Sequence, residues 1–175
     1  MREVAITAVG SDRPGIVAAI SETLLGLGGN LADCRAALLR GSFAIVVVAA
    51  VPDTVSEDDV RAALAPVARE LGLGVWVGAA APPAPHPPGE RCVISVYGAD
   101  HPGIVAGVTR ALADRGVNVL DLSSRLVGDP PVYVLGLEVE LPPGLTAGRL
   151  ERELRPVASG QGLELSLESE SDEVL

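Results

Sequence analysis

Apolar and polar positions fall along the chain in blocks whose spacing alternates between the periods of strands and of helices. Val4 to Val9 is a short run of branched and small apolar residues and predicts a strand. Ile16, Ile20, Leu24 and Leu27 recur at helical spacing and predict a helix with one buried face. Pro14 fits the first turn of that helix, Asp12 offers a capping carboxylate, and Gly28-Gly29-Asn30 supplies the positive φ that helix ends favour. Leu31 to Leu39 and Phe43 to Val51 predict two strands about a turn at Gly41-Ser42. The second of these is apolar on both faces, as a central strand covered on each side would be. Ser56 to Asp59 opens another helix with acids in its first turn, and Val60, Leu64, Val67 and Leu71 form its buried stripe. Pro66 should kink or interrupt it. Gly72 stops it, and Leu73 to Val77 is the last strand.

This pattern is then written a second time. Gly10-Ser11-Asp12-Arg13-Pro14-Gly15-Ile16-Val17-Ala18 returns 88 positions later as Gly98-Ala99-Asp100-His101-Pro102-Gly103-Ile104-Val105-Ala106. Asn30 returns as Asn118, and these are the only two asparagines in the chain. Beyond the first helix the offset becomes 90, carrying Pro52 to Pro142 and Pro66 to Pro156. The two extra residues belong where Gly41-Ser42 becomes Gly128-Asp129-Pro130-Pro131, because hairpin turns accept insertions and strands do not. The second copy spans Arg91 to Tyr97, His101 to Arg115, Val117 to Val127, Val132 to Leu141, Thr146 to Gly160 and Leu163 to Glu168.

Each copy therefore reads β-α-β-β-α-β. With right-handed crossovers and a central hairpin, that order gives a four-stranded antiparallel sheet with both helices on one face. The predicted fold class is α+β, two ferredoxin-like units in tandem. The expected boundaries are 1–78 and 91–168 for the units, 79–90 for a proline-rich linker of extended conformation, and 169–175 for an acidic tail. Because helices cover only one face of such a sheet, we expect the units to pack together and chains to pair into a homodimer.

Composition narrows the function. All 13 basic residues are Arg, and the formal net charge is −10. With no basic run to displace counterions from phosphates, direct nucleic-acid binding is not expected. No apolar stretch reaches membrane-spanning length, and Met1-Arg2-Glu3 opens no signal-peptide core, so the expectation is a cytoplasmic protein without a membrane partner. Cys34 and Cys92 occupy unmatched positions and read as two buried, reduced thiols. No nucleophile elbow, Walker loop or paired catalytic carboxylates is present, and His86 and His101 lack the further ligands a metal needs. An enzyme, a cofactor and a metal are all unexpected. Trp76 reads as a core or interface residue.

A strand ending in Gly-x-Asp-x-Pro-Gly-Ile-Val, a helix, and then an asparagine before the next strand resembles the ACT domain, in both copies. Within that family the chain is similar to the glycine cleavage system transcriptional repressor group, on Gly29-Asn30-Leu31-Ala32-Asp33-Cys34-Arg35 and Gly41-Ser42-Phe43-Ala44. The resemblance implies a non-catalytic module binding a small molecule, most often an amino acid, and acting on a partner protein such as a transcription regulator. The amino-terminal segments of phosphoserine phosphatases and formyltetrahydrofolate deformylases look alike, so a detached regulatory module of such an enzyme, or a scaffold with empty pockets, stands beside it.

The residues support a ligand site on their own chemistry. Backbone N–H groups at the start of the first helix have no internal partner and can hold a carboxylate. Gly15 leaves them unobstructed, and Asn30 carries both a donor and an acceptor. The candidate ligand-binding residues are Asp12, Arg13, Pro14, Gly15, Ile16 and Asn30, then Asp100, His101, Pro102, Gly103, Ile104 and Asn118. Arg13 becomes His101, so the two sites need not take the same ligand.

Overall fold

A computed structural model of the chain describes residues 1–81 and 89–169. The linker prolines from Pro82 to Pro88, together with His86, and the tail from Glu170 onward lie outside the described residues. The chain divides into two compact units, Met1–Ala84 and Pro85–Leu175.

The first unit runs β1 (Arg2–Ser11), α1 (Ile16–Gly26), β2 (Asn30–Leu39), β3 (Ser42–Val51), α2 (Glu57–Leu71) and β4 (Gly74–Ala79). The second repeats it as β5 (Arg91–Gly98), α3 (Ile104–Ala113), β6 (Asn118–Val127), β7 (Val132–Glu140), α4 (Ala147–Ser159) and β8 (Leu163–Ser169). The sheets have the orders β2-β3-β1-β4 and β6-β7-β5-β8, and every pairing is antiparallel. Both units are the expected βαββαβ arrangement.

Alternation along the strands decides what each sheet buries. On β1 the residues Val4, Ile6 and Ala8 point to the helices and are fully buried; Ile45, Val47 and Ala49 do the same from β3. Ile16, Ile20 and Leu24 from α1 and Val60 and Leu64 from α2 close this core. Burying each Val, Leu or Ile among them is worth about 1.5–3 kcal/mol. The second core is built alike, with Ile94, Val96, Leu135, Leu137, Ile104, Leu112, Leu150 and Leu154. The edge strands β2 and β6 run outside the helix layer, so nearly every residue on them is exposed.

The turn between β2 and β3 uses Arg40 at φ 50° and Gly41 at φ 83°, two consecutive positive values that suit a tight hairpin. Ser56 caps α2 through a reciprocal box in which its hydroxyl accepts from the Asp59 N–H while the Asp59 carboxylate accepts from the Ser56 N–H. Thr146 caps α4 by accepting from the Arg149 N–H.

Three details differ from the sequence reading. Pro66 and Pro156 do not interrupt their helices, which run through them. Both prolines are exposed. Each therefore sits on the solvent side, where water can satisfy the carbonyl that the missing proline N–H leaves without a donor. Trp76 is not a core residue, since it lies 58% exposed on the helix-free face of β4. Cys34 is exposed on an edge strand rather than buried, whereas Cys92 is buried, and both are free thiols. Burial and the nearby Glu90 charge raise the pKa of the Cys92 thiol above its ordinary value. As expected of a sheet with helices on one side alone, the opposite face of β3 is uncovered within its unit, and Val46 on it is exposed.

Candidate functional site

The motif written twice forms the turn from β1 into α1 and from β5 into α3. Its geometry departs from the sequence reading in one respect that matters for chemistry. Pro14 is not in the first helical turn; α1 begins at Ile16, and Gly15 is its N-cap in the left-handed region at φ 95°. Asp12 does not cap the helix, because no side chain does. Its backbone N–H donates instead to Gly41 O at 2.9 Å, tying the loop to the β2–β3 turn. Gly103 caps α3 in the same way at φ 100°, again without a side-chain partner.

The first intrahelical bond of α1 runs from the Ala19 N–H to Gly15 O, and in α3 from the Gly107 N–H to Gly103 O. The N–H groups of Ile16, Val17 and Ala18 thus precede any intrahelical acceptor. The contrast within each unit is sharp: α2 and α4 carry a Ser and a Thr cap, while α1 and α3 carry none. The uncapped ends are also solvent-facing, since Asp12, Arg13, Pro14 and Gly15 are all exposed, as are Pro102 and Gly103. A Cβ built on Gly15 or Gly103 would meet nothing within 4 Å. This arrangement can accept an anion through backbone donors and the positive end of the helix dipole.

His101 takes the place of Arg13 but is held differently. Its Nε2 lies 2.9 Å from Gln161 O, in the turn between α4 and β8, and its Nδ1 lies 3.1 Å from Pro102 O. The imidazole is therefore partly engaged in joining the motif loop to the neighbouring turn, whereas Arg13 extends from the first loop into solvent.

The structure does not bring the asparagines to these loops. In the β1–β3 ladder Gly10 faces Phe43, and in the β2–β3 ladder Asn30 faces Ala50. Those two β3 positions are seven residues apart, which is about 24 Å along a strand at roughly 3.4 Å per residue. Asn30 sits at the other end of the sheet, and Asn118, which faces Glu140, repeats that placement. One small ligand cannot touch Gly15 and Asn30 of the same unit.

Around Asn118 lies a hollow of about 340 Å³ lined by Gly116, Val117, Glu140, Leu141, Pro142 and Pro143. Apart from Asn118, these residues did not stand out as chemistry in the sequence; the signal that could have drawn attention to them was the match of Pro142 to Pro52. Glu140 has no acidic counterpart in the first unit, where Ala50 faces Asn30. Among the described residues no group of three or more His, Cys, Asp or Glu could hold a metal ion, and no helix is long and apolar enough to cross a membrane.

Comparison with known proteins places these features. The profile of the ACT domain matches twice, over residues 2–77 and 90–168. A phosphoserine phosphatase of Mycobacterium tuberculosis is 30% identical over 171 residues, covering 94% of this chain but 40% of that enzyme. The chain thus spans well under half the length of that relative. A protein of unknown function from Galdieria sulphuraria superposes with a TM-score of 0.82 at 26% identity, over 96% of this chain and 98% of its own. A candidate glycine cleavage system transcriptional repressor superposes with a TM-score of 0.74 at 20% identity, over 96% of each chain, which is a likeness of fold.

Proposed function

The chain belongs to the ACT domain family, as two such domains in tandem, and from that premise we propose that it is a non-catalytic regulatory protein that binds a small amino acid and acts through a partner protein. The observation that carries this reading is the pair of uncapped, solvent-facing helix starts at Gly15–Ile16 and Gly103–Ile104, in domains whose other helices are capped. A ligand carboxylate supplies the acceptor those N–H groups lack. Asp12 and Asp100 shape the loops, Pro14 and Pro102 stiffen them, and Arg13 or His101 borders the anion.

Asn30 and Asn118 serve as donors to the ligand's polar head group only from outside the unit whose loop holds the ligand, because within one unit they lie a sheet length from that loop. Glu140 beside Asn118 adds a carboxylate suited to an ammonium group, which Ala50 does not offer. The two domains therefore differ in preference. A transcription regulator fits the role of partner, since a net charge of −10 opposes direct contact with DNA. The match to a phosphoserine phosphatase puts serine and phosphoserine first among ligands to try.

A thermal-shift screen of the twenty amino acids, followed by calorimetry, tests the reading. One amino acid should raise the melting temperature, and its carboxamide analogue should not bind, because the helix start needs an anion. Asn30→Ala should weaken binding by about 1–3 kcal/mol if the head group is charged and desolvated. Equal binding of the amino acid and its amide would refute the carboxylate site.

A further inference from the structure

The last strand of each unit is a sheet edge, and the two edges are finished differently. Among the described residues β4 pairs with β1 alone and β8 with β5 alone. The Ala80 N–H donates to Glu3 O, so alternation along the ladder turns the N–H and C=O of Val75 and Val77 away from β1. In the first unit that edge is covered, because the Arg61 guanidinium on α2 donates to Val77 O at 2.9 Å. The same register in the second unit turns the backbone groups of Leu165 and Leu167 outward. Glu151 stands in α4 where Arg61 stands in α2, and its carboxylate accepts from Arg155 at 2.7 Å instead. Between α4 and this edge lies a hollow of about 670 Å³, with Arg155, Pro156 and Ser159 on one side and Leu163 and Leu165 on the other.

We propose that the outer edge of β8 takes an extended, basic segment of a partner protein as a fifth strand. A row of outward N–H and C=O groups is a template for strand addition, and side chains at alternate positions then choose the strand. Here the choice is made by charge. Glu164 and Glu168 alternate with the outward backbone groups and are exposed on the helix-free face. The Tyr97 hydroxyl donates to Glu164 and fixes that carboxylate beside the edge. Glu138 on β7 lies in the same row as Glu168, with Val93 between them. An added strand with Arg or Lys at alternate positions sets its cations beside these acids, and the net charge of −10 draws it in. A second copy of β8 is a poor occupant. Paired antiparallel about Ser166, Glu164 of each copy would face Glu168 of the other, and like charges directly opposite destabilise a pair. The first unit offers no such lure, since Gly74, Trp76 and Gly78 hold the corresponding positions of β4. This surface goes beyond the ligand reading, because the edge is complete without a bound amino acid.

The probe is a synthetic peptide of alternating Arg and Val, added to the full chain in the absence of amino acids. Amide exchange should slow at Leu165 and Leu167 and stay unchanged along β4. The same peptide with every backbone nitrogen methylated keeps its charge but cannot join the ladder, and it should leave those amides unprotected. Glu168→Arg should weaken binding of the parent peptide about tenfold. Glu151→Arg places a guanidinium where Arg61 stands in the first unit and should block the edge, while Arg61→Ala should bind like wild type; native far-UV spectra guard against merely unfolded variants. Equal binding of the methylated peptide would mean adventitious attraction to an acidic protein. That result, a wild type that does not bind the parent peptide, protection that falls elsewhere than β8, or chains that pair with each other through β8 would overturn the proposal.

Discussion

Replacing Gly15 with alanine gives opposite results under the two ways of starting α1. Were Gly15 inside the first helical turn, as Pro14-Gly15 suggests in the sequence, alanine would help, since it exceeds glycine in helix preference by about 0.8–1 kcal/mol. In the structure Gly15 is the N-cap at φ 95°, a conformation that L residues rarely adopt. An added Cβ meets nothing within 4 Å, so the whole cost is backbone strain, about 1–2 kcal/mol. For a unit of this size 1 kcal/mol corresponds to a shift of roughly 4–8 °C in melting temperature. Gly10→Ala is the informative partner, because its Cβ would lie 2.7 Å from Leu73 Cδ2 and 2.8 Å from Gly72 O. A backbone oxygen cannot swing aside, so that variant should lose more, within the roughly 1–3 kcal/mol of an overpacked site or above it. Trp76 lies in the first unit, so its fluorescence follows that unit's unfolding, while far-UV circular dichroism follows both. Gly15→Ala should lower the tryptophan-detected transition. Gly103→Ala, at φ 100° in equally open space, should leave that transition in place and lower the remaining one. A Gly15→Ala variant as stable as wild type, or more so, would refute the left-handed cap.

Acid should weaken each unit through a named carboxylate. Hydrogen bonds from Ser56 hold the Asp59 pKa below its ordinary value, and those from Arg149 and Arg115 do the same for Glu153. Their folded pKa values lie below the unfolded ones, so their stabilisation is complete above the ordinary values of 3.8 and 4.5 and is lost as pH falls through the depressed ones. Asp59→Asn and Glu153→Gln should flatten the acid limb of the melting curve and leave its slope near neutrality unchanged; an unaltered acid limb would count against both. The purified protein should show no salt-sensitive binding to duplex DNA in a gel-shift assay without a partner, and retention of DNA at physiological ionic strength would contradict the charge argument. Leu64→Ala, which empties a fully packed position between α2 and the first sheet, should cost about 2–5 kcal/mol in denaturant unfolding; a loss below 1 kcal/mol would mean that the core is looser than described.

Much of the fold could be read from residue spacing, because periods of two and of 3.6 are local properties written into every strand and helix. Val4, Ile6 and Ala8 alternate because one side of β1 meets helices, and Ile16, Ile20 and Leu24 recur because one side of α1 meets the sheet. The repeat supplied the second domain. Part of the candidate site was legible for the same reason: Gly-x-Asp-x-Pro-Gly marks a strand-to-helix turn whichever residue caps the helix. What spacing could not carry is anything set by residues distant in the chain. Whether Gly15 caps α1 or lies within it depends on where β1 releases its partner, and that rests on the bond from Asp12 to Gly41. Asn30 and Gly15 lie fifteen residues apart in sequence, close enough to suggest one pocket. The helix between them and its flanking turns carry the chain back along the sheet and deliver them to opposite ends. Trp76 alternates like its buried neighbours, and only the register of β4 against β1, with helices on one side alone, decides that it faces outward. Local chemistry determined the elements, and tertiary pairing decided which residues of those elements share a surface, because adjacency in space is fixed by strand register and layer order and not by distance along the chain.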